Sequence, residues 1–182
     1  MQCILIEKRD LPFYLAIAGI FIVSKLVFSQ VSTDDMRYFL LPLDGLLALA
    51  TNSGSLYLPA QGFYHAQLNI LIDKSCSGFN FFVLCFAMLA FLSVRHFAGG
   101  RQRVIAMVTC LGLAYALAMF VNGARILASV LLQRIGNPLG YQHTELTHQM
   151  EGTFIYLFFL IVIYAVFQFL LTRRARANAE RL

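Results

Sequence analysis

The sequence predicts an all-α integral membrane protein: about four full transmembrane helices, a short interfacial or re-entrant helix, and a small outer-side β-hairpin. Three observations carry that reading. Of 182 residues, 59% are hydrophobic and only 13% charged, with a mean hydropathy of +0.72, far beyond the apolar share of ordinary globular domains. Long, nearly uncharged runs recur along the chain, and about 18 such residues suffice to cross a bilayer. The few charges sort by sign onto opposite ends of those runs.

The spans are residues 11–30, interrupted only by Lys25, then 78–94, 104–121 and 153–171. The 78–94 run is slightly short but equally apolar. Connections are brief, so residues 1–182 form a single polytopic membrane domain with no separate soluble module, internal repeat or low-complexity tract. Lys8 and Arg9 precede the first run as they would in a secretory signal. The run is too long for a signal core and "VFSQVSTDD" offers no small-residue cleavage site, so an uncleaved anchor is expected.

The net charge of +5 invites a nucleic-acid reading, which its distribution removes. Lys8, Arg9, Arg95, Arg101, Arg103, Arg173, Arg174, Arg176 and Arg181 flank spans on one side. Asp34, Asp35, Asp44, Asp73, Glu145 and Glu151 fall on the other. Basic residues near span ends stay cytoplasmic. Four crossings therefore leave both termini in the cytoplasm, with a basic face toward anionic lipid. Lys25 lies in the outer half of its span, where its stem can snorkel to the headgroups; a functional partner is the alternative.

Outer segment 31–77 holds two short elements. Residues 36–51, "MRYFLLPLDGLLALAT", are apolar but too short to span and carry Pro42 and Asp44, which suits an interfacial or re-entrant helix. From Tyr64 to Asp73 apolar and polar residues alternate with one exception at Leu71, the period of a half-buried strand. "SLYL" before "PAQG" supplies its hairpin partner. After span three, helical patterning continues to Gly136. Residues 104–135 would be about 48 Å long, beyond a core of about 30 Å, so the helix either kinks near Gly123 or lies partly along the surface.

Three polar groups converge on the outer ends of the spans: Cys76 at the start of the second, Arg125 at the end of the third, and His148 one turn before the fourth. Strand, thiol, helix is the order of a nucleophile elbow. Cys85 and Cys110 sit inside spans and Cys3 at the cytoplasmic terminus, where cysteine behaves as a small hydrophobe. Cys76 alone faces outward, without an intramolecular disulfide partner. A thiol near a helix start and the cations Lys74 and Arg125 favours the nucleophilic thiolate. The bland reading is a tolerated turn cysteine; a lipoprotein anchor fits "DKSC" poorly. Outer-side Arg125 runs against the basic-inside bias, with Asn122 one turn earlier on the same face. Its fixed fork suits an oxyanion or carboxylate. His148 is a proton carrier at neutral pH. "HTELTHQMEG", with His143, Glu145, His148 and Glu151, admits a metal but lacks the spacing of a metallopeptidase helix.

"SCSG" entering a span, "NGAR" ending the next, and His148 followed four residues later by Gly152 together resemble the exosortase/archaeosortase family, most like its short branch, exosortase K. The resemblance covers roughly residues 70–154 and rests on the order Cys, Arg, His. It implies a membrane cysteine protease/transpeptidase with Cys76, Arg125 and His148 as catalytic residues. Asn122, Glu145 and Glu151 are the candidates for orienting the histidine. It implies membrane-anchored substrates bearing a C-terminal motif, transmembrane helix and basic tail, cleaved at the outer face of the cytoplasmic membrane and passed to a surface acceptor. No cofactor, metal or nucleic-acid partner is expected. The alternatives are a non-enzymatic membrane assembly or transport component, in which the polar groups seal a helix junction, and a membrane metallopeptidase.

Overall fold

A computed structural model describes residues 10–97, 99–136 and 145–179; within the helical stretches 133–136, 145–151 and 175–179 it describes the backbone only. The element order is α1 (Leu11–Gln30), α2 (Arg37–Thr51), β1 (Leu56–Leu58), β2 (Gly62–His65), β3 (Ile70–Ile72), a 3₁₀ turn (Lys74–Ser77), α3 (Phe79–His96), α4 (Gly100–Gly136) and α5 (Glu145–Ala179). Four helices are long and apolar enough to cross a membrane: Leu11–Gln30, Lys74–His96, Gly100–Leu132 and Gly152–Arg174. The chain is a multi-pass membrane protein, all-α apart from one small sheet. Its contacts group into two compact units: the described parts of Met1–Ser29, Asn80–Ala116 and Leu160–Leu182, and those of Gln30–Phe79 and Leu117–Phe159.

In the first unit α3 is the buried helix, with Phe81, Val83, Cys85, Phe86, Leu89, Ala90, Leu92 and Val94 inside. By contrast α1 fully buries Ile17 alone, and leaves Leu11, Leu15, Ile20, Ile22, Val23, Leu26 and Val27 exposed, as a lipid-facing helix would. Two basic residues depart from the sequence reading. Arg103 is not a lipid-facing charge: only 3% exposed, it pairs with Asp10 at 2.7 Å and donates Nε to the Phe97 carbonyl at 2.6 Å. Burying a guanidinium requires such a partner and acceptor. Arg103 therefore clamps the turn between α3 and α4. Lys25 donates to Asn80 Oδ1 at 2.6 Å rather than simply reaching for headgroups.

The second unit carries α2, the sheet, the C-terminal part of α4 and the N-terminal part of α5. Pro42 and Asp44 do not break α2. Its Leu40, Leu43, Asp44 and Leu47 form one buried stripe at helical spacing, and Asp44 is tolerated there because His65 Nε2 meets its Oδ1 at 2.9 Å. His65 Nδ1 in turn meets Ser53 Oγ at 2.9 Å, and Ser53 meets Thr51 Oγ1 at 2.7 Å. This buried chain fastens the end of α2 to β2, satisfying polar groups that would otherwise cost stability.

The alternating run 64–73 is not one strand. It is β2 and β3 joined by a turn, and with β1 they form a three-stranded antiparallel sheet in the order β1-β2-β3. Asn69, with φ of 52°, occupies the left-handed region in that turn, a conformation asparagine tolerates better than most residues. Gly62 has φ of 124°, and a Cβ there would lie 2.2 Å from the Ile72 carbonyl oxygen, so only glycine lets β3 pair at this edge. The hairpin partner "SLYL" is β1, as its composition indicates.

The stretch before α2 is tied to the sheet by Asp34, whose Oδ1 accepts from Tyr57 Oη at 2.5 Å and Ala60 N at 2.9 Å. Those two bonds hold the Asp34 carboxyl below its ordinary range. Since the folded value is the lower one, the tether contributes fully above the unfolded value of about 3.9 and is lost as pH falls through the folded value. Asp34→Asn is thus expected to lower the melting temperature of the detergent-solubilised protein slightly at pH 7. The difference from the parent should close at strongly acidic pH.

Candidate active site

Cys76 sits where chain geometry changes twice in five residues. Asp73 caps the 3₁₀ turn, its Oδ1 accepting from Ser75 N at 2.9 Å, Ser75 Oγ at 2.6 Å and Cys76 N at 3.3 Å. An Asx cap of this kind is what aspartate offers two residues before serine. Gly78 then reverses the chain with φ of 69°, and α3 begins at Phe79. A Cβ on Gly78 would lie 2.9 Å from both Cβ and Cγ of Asn122. The glycine after "CS" therefore answers a left-handed turn and a close approach by α4. Gly78→Ala is expected to cost about 1–2 kcal/mol for the left-handed backbone alone, with more from the clash. A thermal melt in detergent no lower than the parent's would contradict this.

The sulfur of Cys76 is partly exposed and unbridged; Cys85 and Cys110 are buried free thiols. Its neighbours are Ser75 Oγ at 3.8 Å and the Leu71 carbonyl at 3.9 Å. The Lys74 ammonium donates to the Val31 carbonyl at 2.5 Å, so it ties the turn to the segment that precedes α2.

Asn122 and Arg125 stand one turn apart on α4, as their spacing requires. Asn122 is fully buried, and its Nδ2 donates to the carbonyl oxygen of Cys76. Its Oδ1 accepts from Tyr156 Oη of α5 at 2.6 Å. The same phenol oxygen accepts from Arg125 Nη1 at 2.9 Å, and the guanidinium carbon lies 5.3 Å from the Tyr156 ring centroid. Arg125, Tyr156, Asn122 and Cys76 are thus one chain of hydrogen bonds. It reaches the cysteine through its carbonyl, while the sulfur stays within electrostatic range of Arg125 and Tyr156.

Gly152 of α5 explains how α5 comes so close. A Cβ there would lie 2.7 Å from Arg125 Nε and 3.1 Å from Cζ, so the guanidinium lies against bare backbone. That Nε is buried without a hydrogen-bond partner among the described residues. A buried donor left unsatisfied is expensive, and each such group calls for an explanation.

His148 lies on α5 one turn before Gly152, a rise of about 6 Å. Its side chain, with those of Glu145 and Glu151, lies outside the described residues, as does all of His143. The structure therefore brings Cys76, Asn122 and Arg125 together and fixes the backbone position of His148. Among the described residues no three His, Cys, Asp or Glu groups cluster as metal ligands would. Two contributors escaped the sequence reading. Tyr156 is one polar atom inside "TFIYLFF", though a phenol within an apolar span usually takes a hydrogen-bond partner. Asp73 looked like a strand end, although Asp followed by Ser two residues later signals a cap.

A multi-pass membrane protein whose cysteine-bearing turn is bonded to an arginine-bearing helix defines a narrow class. The family model described as Transmembrane exosortase (Exosortase_EpsH) matches residues 55–165, more than half of the chain. The chain belongs to that family. No curated protein and no solved structure matches it.

Proposed function

We propose that the chain is a membrane cysteine peptidase and transpeptidase of the short exosortase K type, with Cys76 as nucleophile, Arg125 as charge stabiliser and His148 as proton carrier. The observation that most supports this reading is the hydrogen-bonded chain from Arg125 through Tyr156 and Asn122 to the Cys76 carbonyl. It ties a nucleophile-bearing turn to a permanent cation.

The chemistry proceeds as acyl transfer. The Cys76 thiolate attacks the scissile carbonyl carbon, forming a C–S bond while negative charge moves to the carbonyl oxygen. Arg125 stabilises that charge, which is strongest where water is excluded. The C–N bond breaks as the His148 imidazolium gives its proton to the leaving amine. Neutral His148 then takes a proton from the acceptor nucleophile, or from water, as it attacks the thioester and returns the sulfur as thiolate. Glu145, Glu151 or Asn122 would orient the imidazole. Asn122 already spends its amide on Cys76 and Tyr156, which favours the glutamates.

The substrates are membrane-anchored proteins ending in a short motif, an apolar helix and a basic tail. Cleavage takes place at the outer face of the cytoplasmic membrane, with both enzyme termini inside. Confining enzyme and substrate to one plane, with the scissile bond at the same depth as the thiol, supplies much of the orientation. The acceptor is a surface nucleophile.

The test is capture of the intermediate. Membranes carrying the enzyme and a tailed substrate protein, quenched in acid, should yield a Cys76 peptide bearing an acyl group labile to hydroxylamine. Cleavage with no such adduct, abolished instead by chelators, would replace this mechanism by a metallopeptidase centred on the His143–Glu151 stretch. A membrane-impermeant maleimide should label Cys76 in intact cells; protection there with labelling only after permeabilisation would invert the topology.

A further inference from the structure

Tyr156 lies outside every motif that carries the family resemblance, yet it is the junction of the site. Hydrogen-bond capacity fixes the direction of the chain through it. Arginine only donates, so Arg125 Nη1 at 2.9 Å must be accepted by the phenol oxygen. The phenol hydrogen then goes to Asn122 Oδ1, 2.6 Å away. With its oxygen so engaged, the Asn122 amide turns its NH₂ toward the Cys76 carbonyl. One arrangement of protons satisfies all three bonds, and Asn122 at their centre is fully buried.

We propose that Tyr156 is a positioning residue for the thiol turn, its hydroxyl joining the Arg125 guanidinium to the Asn122 amide and so holding cation and cysteine in one arrangement. The inference rests on Cys76 and Arg125 being the reacting pair. Its role is not packing: phenylalanine would fill the same volume but leave Asn122 free to flip and Arg125 without its anchor. Among the described residues, the groups that face Cys76 are Asp73 and Ser75 of its own turn, Arg125 of α4 and Tyr156 of α5. Among the described residues Asp73 is the carboxylate that opposes a negative sulfur, and Arg125 the cation that favours one.

Iodoacetamide alkylation of Cys76 reads this directly, using the full-length protein in detergent and quantifying the modified peptide by mass spectrometry across a pH series. Relative to the parent, Tyr156→Phe should slow alkylation at pH 7 by about three- to tenfold, the scale of one ordinary lost hydrogen bond, and displace the pH–rate profile. In an Arg125→Gln background the same substitution should add little, because its effect passes through Arg125. Asn122→Ala should slow alkylation comparably, and provides the measurement if Tyr156→Phe does not fold. Unchanged kinetics in a folded Tyr156→Phe protein, or an equal effect with Arg125 already removed, would overturn the proposal. Alkylation needs no sorting substrate, so failure here leaves the catalytic reading standing. Conversely, a Cys76 variant that still processes substrate sinks the catalytic reading without touching this coupling.

Discussion

Cys76→Ser is expected to abolish processing, by at least about 10³-fold, while leaving the protein at normal abundance in the membrane. Serine is nearly the same size, its backbone carbonyl still meets Asn122, and the Asp73 cap does not involve the sulfur. The fold therefore has little reason to change. The chemistry does: an alkoxide is far less accessible at neutral pH than a thiolate, and no base already bonded to the Cys76 sulfur is found among the described residues. Full-length substrate proteins retaining their basic tails should accumulate, read by mass spectrometry of the membrane fraction. Near-normal processing would mean that the thiol only packs, the behaviour of a non-enzymatic assembly component.

The second large effect falls on Arg125. Arg125→Lys keeps the positive charge but replaces a planar fork with a point charge, which cannot hold the Tyr156 oxygen and face the reacting carbonyl together. Turnover should fall by about 10²- to 10³-fold, the range for losing an oxyanion donor. The Michaelis constant should change much less, because the guanidinium acts on charge that develops during the reaction. Cleavage kinetics with a reconstituted tailed substrate would separate the two. A rise in the Michaelis constant with unaltered turnover would make Arg125 a substrate-binding group, reading a carboxylate in the sorting motif.

The motif glycines show how far sequence can carry an argument. "SCSG" and the glycine four residues after His148 were legible as a pattern, but not as a mechanism. Gly78 is glycine because the turn is left-handed and Asn122 lies under it; Gly152 is glycine because Arg125 lies flat against it. Both reasons belong to contacts between helices distant in sequence. Tyr156 is the opposite case, since its importance arises wholly from two residues on another helix. Within an apolar span, nothing local distinguishes it from packing.

The same division runs through the fold. Hydropathy runs long enough to span, the positive-inside bias, and the strand-like patch after α2 are local or statistical properties, so the chain of residues alone determined the membrane class, the four helices and their limits to within a few turns. Periodicity could not say that residues 64–73 turn back on themselves, because a period of two is preserved on both sides of a tight turn. Nor could it say that Asp44 and Arg103 are buried. A charge in a sequence reads as a break or a flank until its partner is known, and the partners, His65 and Asp10, lie 21 and 93 positions away. Residue type and order determined what the protein is made to cross and which groups it can use. Only the packing of helices against one another decided which of those groups touch, because contact between distant positions is set by shape and by satisfying buried polar atoms, which no local pattern encodes.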